Sequence, residues 1–226
     1  MGEHKRKKNA RHRRQAGRRI AWAAGAVLVL AAVGILAAMA RPAQTTGWEA
    51  VEEVLGSPDA PITVISYVDY ACPHCGTFAL EIEPELVDRY VESGQVRLVY
   101  RPMAFLGPSS ILAAQVAALV SDQDPELFWR FHHRVFEELH ASGPRFTREQ
   151  LIALAAEIGA NPAPIEAGLN AGRYRDVLGQ VRRMAIEQHG VRATPTIFVG
   201  TEKIEGVPDP GQFFAFIDSL LAEVES

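Results

Sequence analysis

Residues 69–78 read DYACPHCGTF, and Cys72 and Cys75 within this stretch are the only two cysteines of the 226-residue chain. Two cysteines separated by two residues can be half of a metal site, a structural clip or a redox couple. A four-coordinate structural zinc site needs a second pair of ligands at similar spacing. No other cysteine is present, and His132 and His133 are adjacent, so on a helix they point about 100° apart. Metal is therefore not expected, and His132, His133 and His140 read as surface or boundary positions on a helix whose apolar stripe does the packing. A clip is a poor reading too, because the loop it closes is tiny and the stabilisation from a disulfide grows with loop length. Redox chemistry fits best, and it calls for no cofactor beyond the two sulfurs.

The neighbouring elements must position the pair. The run PITVISYVDY (61–70) is rich in β-branched and aromatic residues and follows the turn-like GSPDAP, which predicts a strand. Pro73 suits the first turn of a helix, and GTFALEIEPELVDRYVESG continues with helical spacing to Gly94, with a kink expected at Pro84. VRLVYR (96–101) predicts a second strand, parallel to the first. Cys72 thus falls where a strand ends and a helix begins. Unpaired backbone N–H groups and the positive helix end there favour its thiolate. His74 is close enough to add a positive or hydrogen-bonding group. Stabilising the thiolate stabilises the reduced pair, which makes the disulfide form a stronger oxidant. Cys75, one turn inside the helix, is expected to be more buried and to act as the resolving thiol.

Residues from about 109 to 190 read as helical throughout. PELFWRFHHRVFEELH (125–140) places Phe128, Phe131, Val135, Phe136 and Leu139 on one stripe. TREQ (147–150) has the form of a capping box, with Gly159 closing that helix. Asn161 is a cap for PAPIEAGLN, and Gly190 ends a helix starting near Ala171. Strand character returns in TPTIFVG (194–200) and EKIEGV (202–207), followed by a last helix, GQFFAFIDSLLAEVE. The expected architecture is a split α/β domain, 49–226, with an all-helical insertion at about 105–190.

The opening of the chain differs in kind. Lys5 to Arg19 is mostly basic, and Ile20 to Ala40 carries no charged residue. Those 21 residues, at about 1.5 Å each in a helix, match the roughly 30 Å of a bilayer core. The positive-inside rule keeps 1–19 in the cytoplasm, makes 20–40 a transmembrane helix and exports the rest through a tether, 41–48. AMA at Ala38–Ala40 has the small-x-small form of a cleavage site, but the apolar run is longer than a signal peptide needs, which favours an uncleaved, single-pass signal anchor in the cell membrane. The exported side is oxidising, as a redox pair requires. Ten of the 23 Lys and Arg precede residue 42, so residues 42–226 hold 13 cations against 26 acidic residues, a formal charge of −13. Nucleic acid is not an expected partner for such a domain.

CPHC after a strand, ATPTIFVG far downstream and GSPDAPITVISYVDYACPHC as a whole resemble the DsbA-like thiol-disulfide oxidoreductases, in particular their membrane-anchored or exported branch with the motif GxPDAPxTxxxxxDxxCPxC. The similarity extends over nearly all of 50–225. It implies a thioredoxin-like fold interrupted by the helical insertion, with Cys72 the exposed nucleophile, His74 its thiolate-stabilising neighbour and Cys75 the resolving cysteine of a redox-active disulfide. It further implies a cis Thr194–Pro195 bond beside the disulfide, with the Thr194 backbone free to pair with a substrate strand. Many relatives carry a buried acid six residues before the first cysteine, where this chain has Ser66. Asp69 matches a separate acidic position and reads first as a capping group. The implied activity is oxidation of exported cysteine-containing proteins or peptides through a mixed disulfide at Cys72, with reoxidation by a quinone-linked membrane partner. Two alternatives remain open: an exported reductase or isomerase kept reduced by a membrane electron donor, and a chaperone-like module that binds client chains near Pro195.

Overall fold

The computed structural model describes residues 47–224, which lie in one compact unit, Thr45–Ser226. The expected basic segment, the membrane helix at 20–40 and residues 41–46 of the tether lie outside the described residues. Among the described residues no helix is long and apolar enough to cross a membrane.

The β-branched run forms strand β2, Ile62–Val68, and Val96–Pro102 forms β3, parallel to it with Ser66 opposite Tyr100. Helix α1, residues 73–91, joins them. It combines α turns at Pro73–Thr77 and Glu83–Leu86 with π turns at Phe78–Ile82 and Val87–Val91. Pro84 follows the first π turn, so its missing N–H falls where the hydrogen-bond ladder is already shifted by one residue, and the helix continues. Strand β1, Glu53–Leu55, pairs antiparallel with β3 and puts Glu53 opposite Tyr100. Three residues are too few to show a period of two, so sequence pattern did not reveal this strand. Strands β4, Thr196–Val199, and β5, Glu202–Glu205, complete a five-stranded sheet of order β1-β3-β2-β4-β5.

Between β3 and β4 lie helices α2 (Pro108–Ser121), α3 (Pro125–Ser142), α4 (Arg148–Glu157), α5 (Pro162–Asn170) and α6 (Arg175–His189), and α7 (Pro210–Val224) follows β5. Their ends follow local chemistry. Thr147 and Gln150 form a reciprocal capping box, Asn161 accepts from the Ala163 N–H, and Gly190 ends α6 at φ +61°. Helix α6 starts four residues later than the sequence suggests, because Tyr174 adopts φ +67°, a left-handed conformation that no helix continues through.

The main core forms on one face of the sheet, where Val64, Val68, Leu98 and Tyr100 meet Cys75, Phe78, Ile82 and Leu86 of α1 and the aromatic stripe of α3. Tyr67 projects to the opposite face with Met103, Ala185 and Val191. His132 corrects the sequence reading. It is fully buried, not a boundary residue, because it lies four residues from both Phe128 and Phe136 and shares their stripe. Helix α5 packs against α2 closely enough that a Cβ at Gly168 would lie 2.2 Å from a Leu119 methyl carbon. Leu119 is itself buried, so overpacking of about 1–3 kcal/mol outweighs the roughly 1 kcal/mol of helix propensity that alanine adds. Gly168→Ala should lower the denaturant midpoint by the equivalent of up to about 2 kcal/mol, the overpacking less the propensity gain.

Candidate active site

The turn between β2 and α1 is organised by Asp69. Its carbonyl accepts from the Cys72 N–H at 3.0 Å, one carboxylate oxygen accepts from the Ala71 N–H at 2.8 Å, and the other accepts from Phe105 and Leu106 N–H groups at 2.8 and 3.0 Å. Its own N–H points at Cys75 Sγ, 3.4 Å away. Asp69 therefore caps the turn, while the N-cap of α1 is Cys72 itself. The same carboxylate ties down the loop after β3, where Ala104 holds φ +40°. Sequence alone could suggest a cap here but not its second partner, which lies 36 residues away.

Cys72 and Cys75 are both unbridged, and the fold treats them differently. The Cys75 thiol donates to the Cys72 sulfur, which does most to favour the Cys72 thiolate. Burial opposes this, and Thr194 and the backbone N–H groups of Cys75 and His74 add to the stabilisation, leaving a pKa of about 5. Burial pushes the Cys75 thiol well above the ordinary range, and the neighbouring Cys72 adds to the effect. Cys72 is 6 % exposed and Cys75 0 %. The His74 imidazole is exposed and has no hydrogen-bond partner among the described residues, so this residue acts on Cys72 through its backbone.

Thr194 and Pro195 arrive from the far end of the chain. The Thr194–Pro195 bond is cis, and the Thr194 carbonyl accepts from the Cys72 S–H at 3.3 Å. Pro195 is buried and its carbonyl accepts from the Gly206 N–H at 2.8 Å, which holds the turn to the end of β5. Ser66 is buried, with its hydroxyl donating to the Val99 carbonyl at 3.4 Å. A second polar group has little trace in the sequence. The Tyr70 hydroxyl pairs with His132 Nδ1 at 3.1 Å, and buried Glu83 receives His133 Nε2 at 3.0 Å with His132 Nε2 at 3.5 Å. Burial alone would raise the Glu83 carboxyl, but the two imidazoles outweigh it and hold it at about 2. Two adjacent histidines are the only sequence signal for this group.

A cysteine pair at a strand-to-helix junction, with one thiol activated, the other buried and a cis-proline turn alongside, defines a thiol-disulfide exchange site. A family model described as thioredoxin matches residues 49–219. Disulfide bond formation protein D of Bacillus subtilis is 28 % identical over 160 residues, which are 70 % of this chain and 72 % of that protein. The crystal structure of oxidised BdbD from Bacillus subtilis superposes with a TM-score of 0.71 at 27 % identity, covering 79 % of this chain and 98 % of that one. The crystal structure of Chlamydia trachomatis DsbA gives 0.67 at 27 % identity, over 74 % of this chain and 90 % of that one. The chain belongs to the thioredoxin family and is a DsbA-like thiol-disulfide oxidoreductase.

Proposed function

We propose that this enzyme works as an oxidase, donating a Cys72–Cys75 disulfide to the thiols of exported proteins. The observation that carries the direction is the opposed ionisation of the two cysteines. With Cys72 ionising at about 5, at pH 7 the thiolate stabilises the reduced enzyme by about 3 kcal/mol relative to an ordinary thiol. That corresponds to roughly 60 mV of added oxidising potential. The sign follows from linkage: the depressed ionisation stabilises the reduced form fully above the unfolded thiol range and loses that effect as pH falls through about 5.

In this reading a substrate thiolate attacks Cys72, the more exposed sulfur, and Cys75 leaves. The substrate's second thiolate then displaces Cys72, which leaves readily because its thiolate is stable. His74 lends a backbone N–H to Cys72, and the Thr194–Pro195 turn is where the substrate strand lies. Residues 20–40 anchor the domain on the extracytoplasmic side of the membrane, close to a quinone-linked partner that restores the disulfide. The reductase or isomerase alternative requires an electron donor instead and a pair that stays reduced.

The reduction potential of the 226-residue protein against glutathione buffers separates these readings. The oxidase requires a value well above that of thioredoxin, about −270 mV. A value near −270 mV would transfer the assignment to the reductase.

A further inference from the structure

Between the two cysteines lies one peptide unit that belongs to neither, the bond from Pro73 to His74. Cys72 is the N-cap of α1, so His74 and Cys75 stand at the second and third helical positions, where backbone N–H groups face the side chain of the cap. The Cys75 N–H is committed to the Cys72 carbonyl at 3.0 Å. The His74 N–H, in the first turn, has no acceptor within the helix. Neither closes a hydrogen bond to the Cys72 sulfur, so each acts on it as an aimed dipole whose effect depends on how its peptide plane is held. The His74 N–H and the Pro73 carbonyl are opposite ends of one rigid plane. Whatever holds the carbonyl also aims the N–H.

The group that holds this carbonyl from outside α1 comes from the helical insertion. His140, in the last turn of α3, has its Nε2 directed at the Pro73 oxygen at 3.4 Å. A carbonyl only accepts, so Nε2 carries the proton in this contact. The Thr77 hydroxyl donates to the same oxygen from within α1, also at 3.4 Å. The acidic neighbours of His140 along α3, Glu137 and Glu138, both pair with Arg134.

Gly76 supplies a second, independent observation. It is buried and helical, so no left-handed backbone calls for glycine there, and glycine is a poor helix former. A Cβ at this position would lie 2.5 Å from His140 Nε2 and 3.1 and 3.3 Å from Cδ2 and Cε1. The imidazole therefore occupies the space that a side chain after Cys75 would take. Both cysteines are unbridged, so this seat exists in the reduced form, where Cys72 carries its charge.

We propose that His140 is a positioning residue for the Cys72 sulfur: by donating to the Pro73 carbonyl it fixes the Pro73–His74 plane with its N–H aimed at that sulfur. A donor on the carbonyl oxygen also polarises the peptide, and hydrogen bonds linked in this way strengthen one another. The Cys75 thiol is the largest cause of the lowered Cys72 ionisation, and the His74 N–H is a smaller one that agrees with this geometry. The inference deepens the oxidase reading, since it concerns the same thiolate, but its test needs no turnover. The oxidase reading fails on the potential of the unaltered protein, and this inference fails on differences between variants.

In the reduced 226-residue protein, Cys72 ionisation is followed by thiolate ultraviolet absorbance against pH. His140→Ala should lower the ratio of thiolate to thiol at a given pH about two- to fivefold, the range for a helix-end dipole acting on a charge. At pH 7 the reduced-to-oxidised ratio in a glutathione buffer should fall by the same factor, because the thiolate stabilises only the reduced form. Gly76→Ala, which displaces the ring without altering it, should shift both readouts in the same direction and add nothing in the His140→Ala background. His140→Gln, which offers an amide N–H in place of Nε2, should restore both. His140 is exposed, so its variants should keep the denaturant midpoint of the unaltered protein, which separates loss of aim from loss of fold. A titration unmoved in His140→Ala or in Gly76→Ala, shifts that add in the double variant, or a His140→Gln protein no better than His140→Ala overturns the assignment.

Discussion

Alkylation of the reduced protein should follow a pH profile with its midpoint near 5, all of it at Cys72. At pH 6, with a pKa of about 5, about 90 % of Cys72 is thiolate, against about 0.3 % of an ordinary thiol ionising near 8.5, a ratio of about 300. A thiolate of lower pKa is intrinsically less nucleophilic, by about 40-fold over this difference at a Brønsted slope of about 0.45. The thiolate fraction wins, so Cys72 should react about tenfold faster than an ordinary cysteine at pH 6 and more slowly than one above pH 9. Cys75 should stay unmodified until the protein is unfolded, since it is fully buried and its ionisation is raised. Cys72→Ala should abolish disulfide exchange, whereas in Cys75→Ala the Cys72 thiolate should still attack an added peptide disulfide, release one of its thiolates and accumulate the mixed disulfide. A midpoint near 8.5 for Cys72 would contradict the activation of its sulfur and remove the basis for the oxidase.

His132→Ala should destabilise the protein by about 3–5 kcal/mol, the cost of truncating a large buried ring and leaving its polar neighbours unsatisfied in the core. Glu83 and His132 are 1 % and 0 % exposed, and Glu83 Oε2 is already without a hydrogen-bond partner among the described residues. The substitution also strips the Tyr70 hydroxyl of its acceptor and opens a gap among the rings of Tyr70, Tyr100, Phe128, Trp129 and Phe136, whose centroids lie 5.0–5.8 Å from the imidazole. Such a loss is a large share of the stability of an ordinary domain. The double variant Glu83→Gln/His132→Leu should lose less than the sum of its single variants, because it leaves no buried charge behind.

Denaturant midpoints against pH supply a second check on this group. The Glu83 carboxyl is depressed, so its contribution is complete above about 4.3 and is lost as pH falls toward 2. For His133, burial lowers the ionisation but Glu83 outweighs it, so the net shift is upward. Its contribution is complete below about 6.5 and is lost as pH rises through the raised value. Burial lowers His132 more than Glu83 restores, so His132 opposes the other two: it costs stability as pH falls below about 6.5, where the unfolded chain takes up a proton first. The contributions of Glu83 and His133 should therefore overlap between about 4.3 and 6.5, with His132 moving the maximum to the upper end of that range.

Features written in neighbouring residues are legible in the amino-acid sequence. The Cys-x-x-Cys pair at a strand-to-helix junction, the Thr147–Gln150 capping box, the Asn161 cap and the glycine stop at Gly190 each depend on contacts within a few positions, so residue type and spacing determine them. What required the tertiary structure is everything set by distant segments. Two chemically identical thiols differ because the Cys75 thiol donates to Cys72, whereas Cys75 itself is buried in a core that distant segments build around it. Strand β1 exists because β3 offers it an edge, and only that pairing places Glu53 in line with Tyr100. Helical spacing places His132 on the core stripe, but its polar neighbours there, Tyr70 and Glu83, come from 62 and 49 positions earlier. Ionisation and hydrogen bonding at a buried atom depend on what is packed within a few ångströms, and chain order does not encode that until the chain has folded.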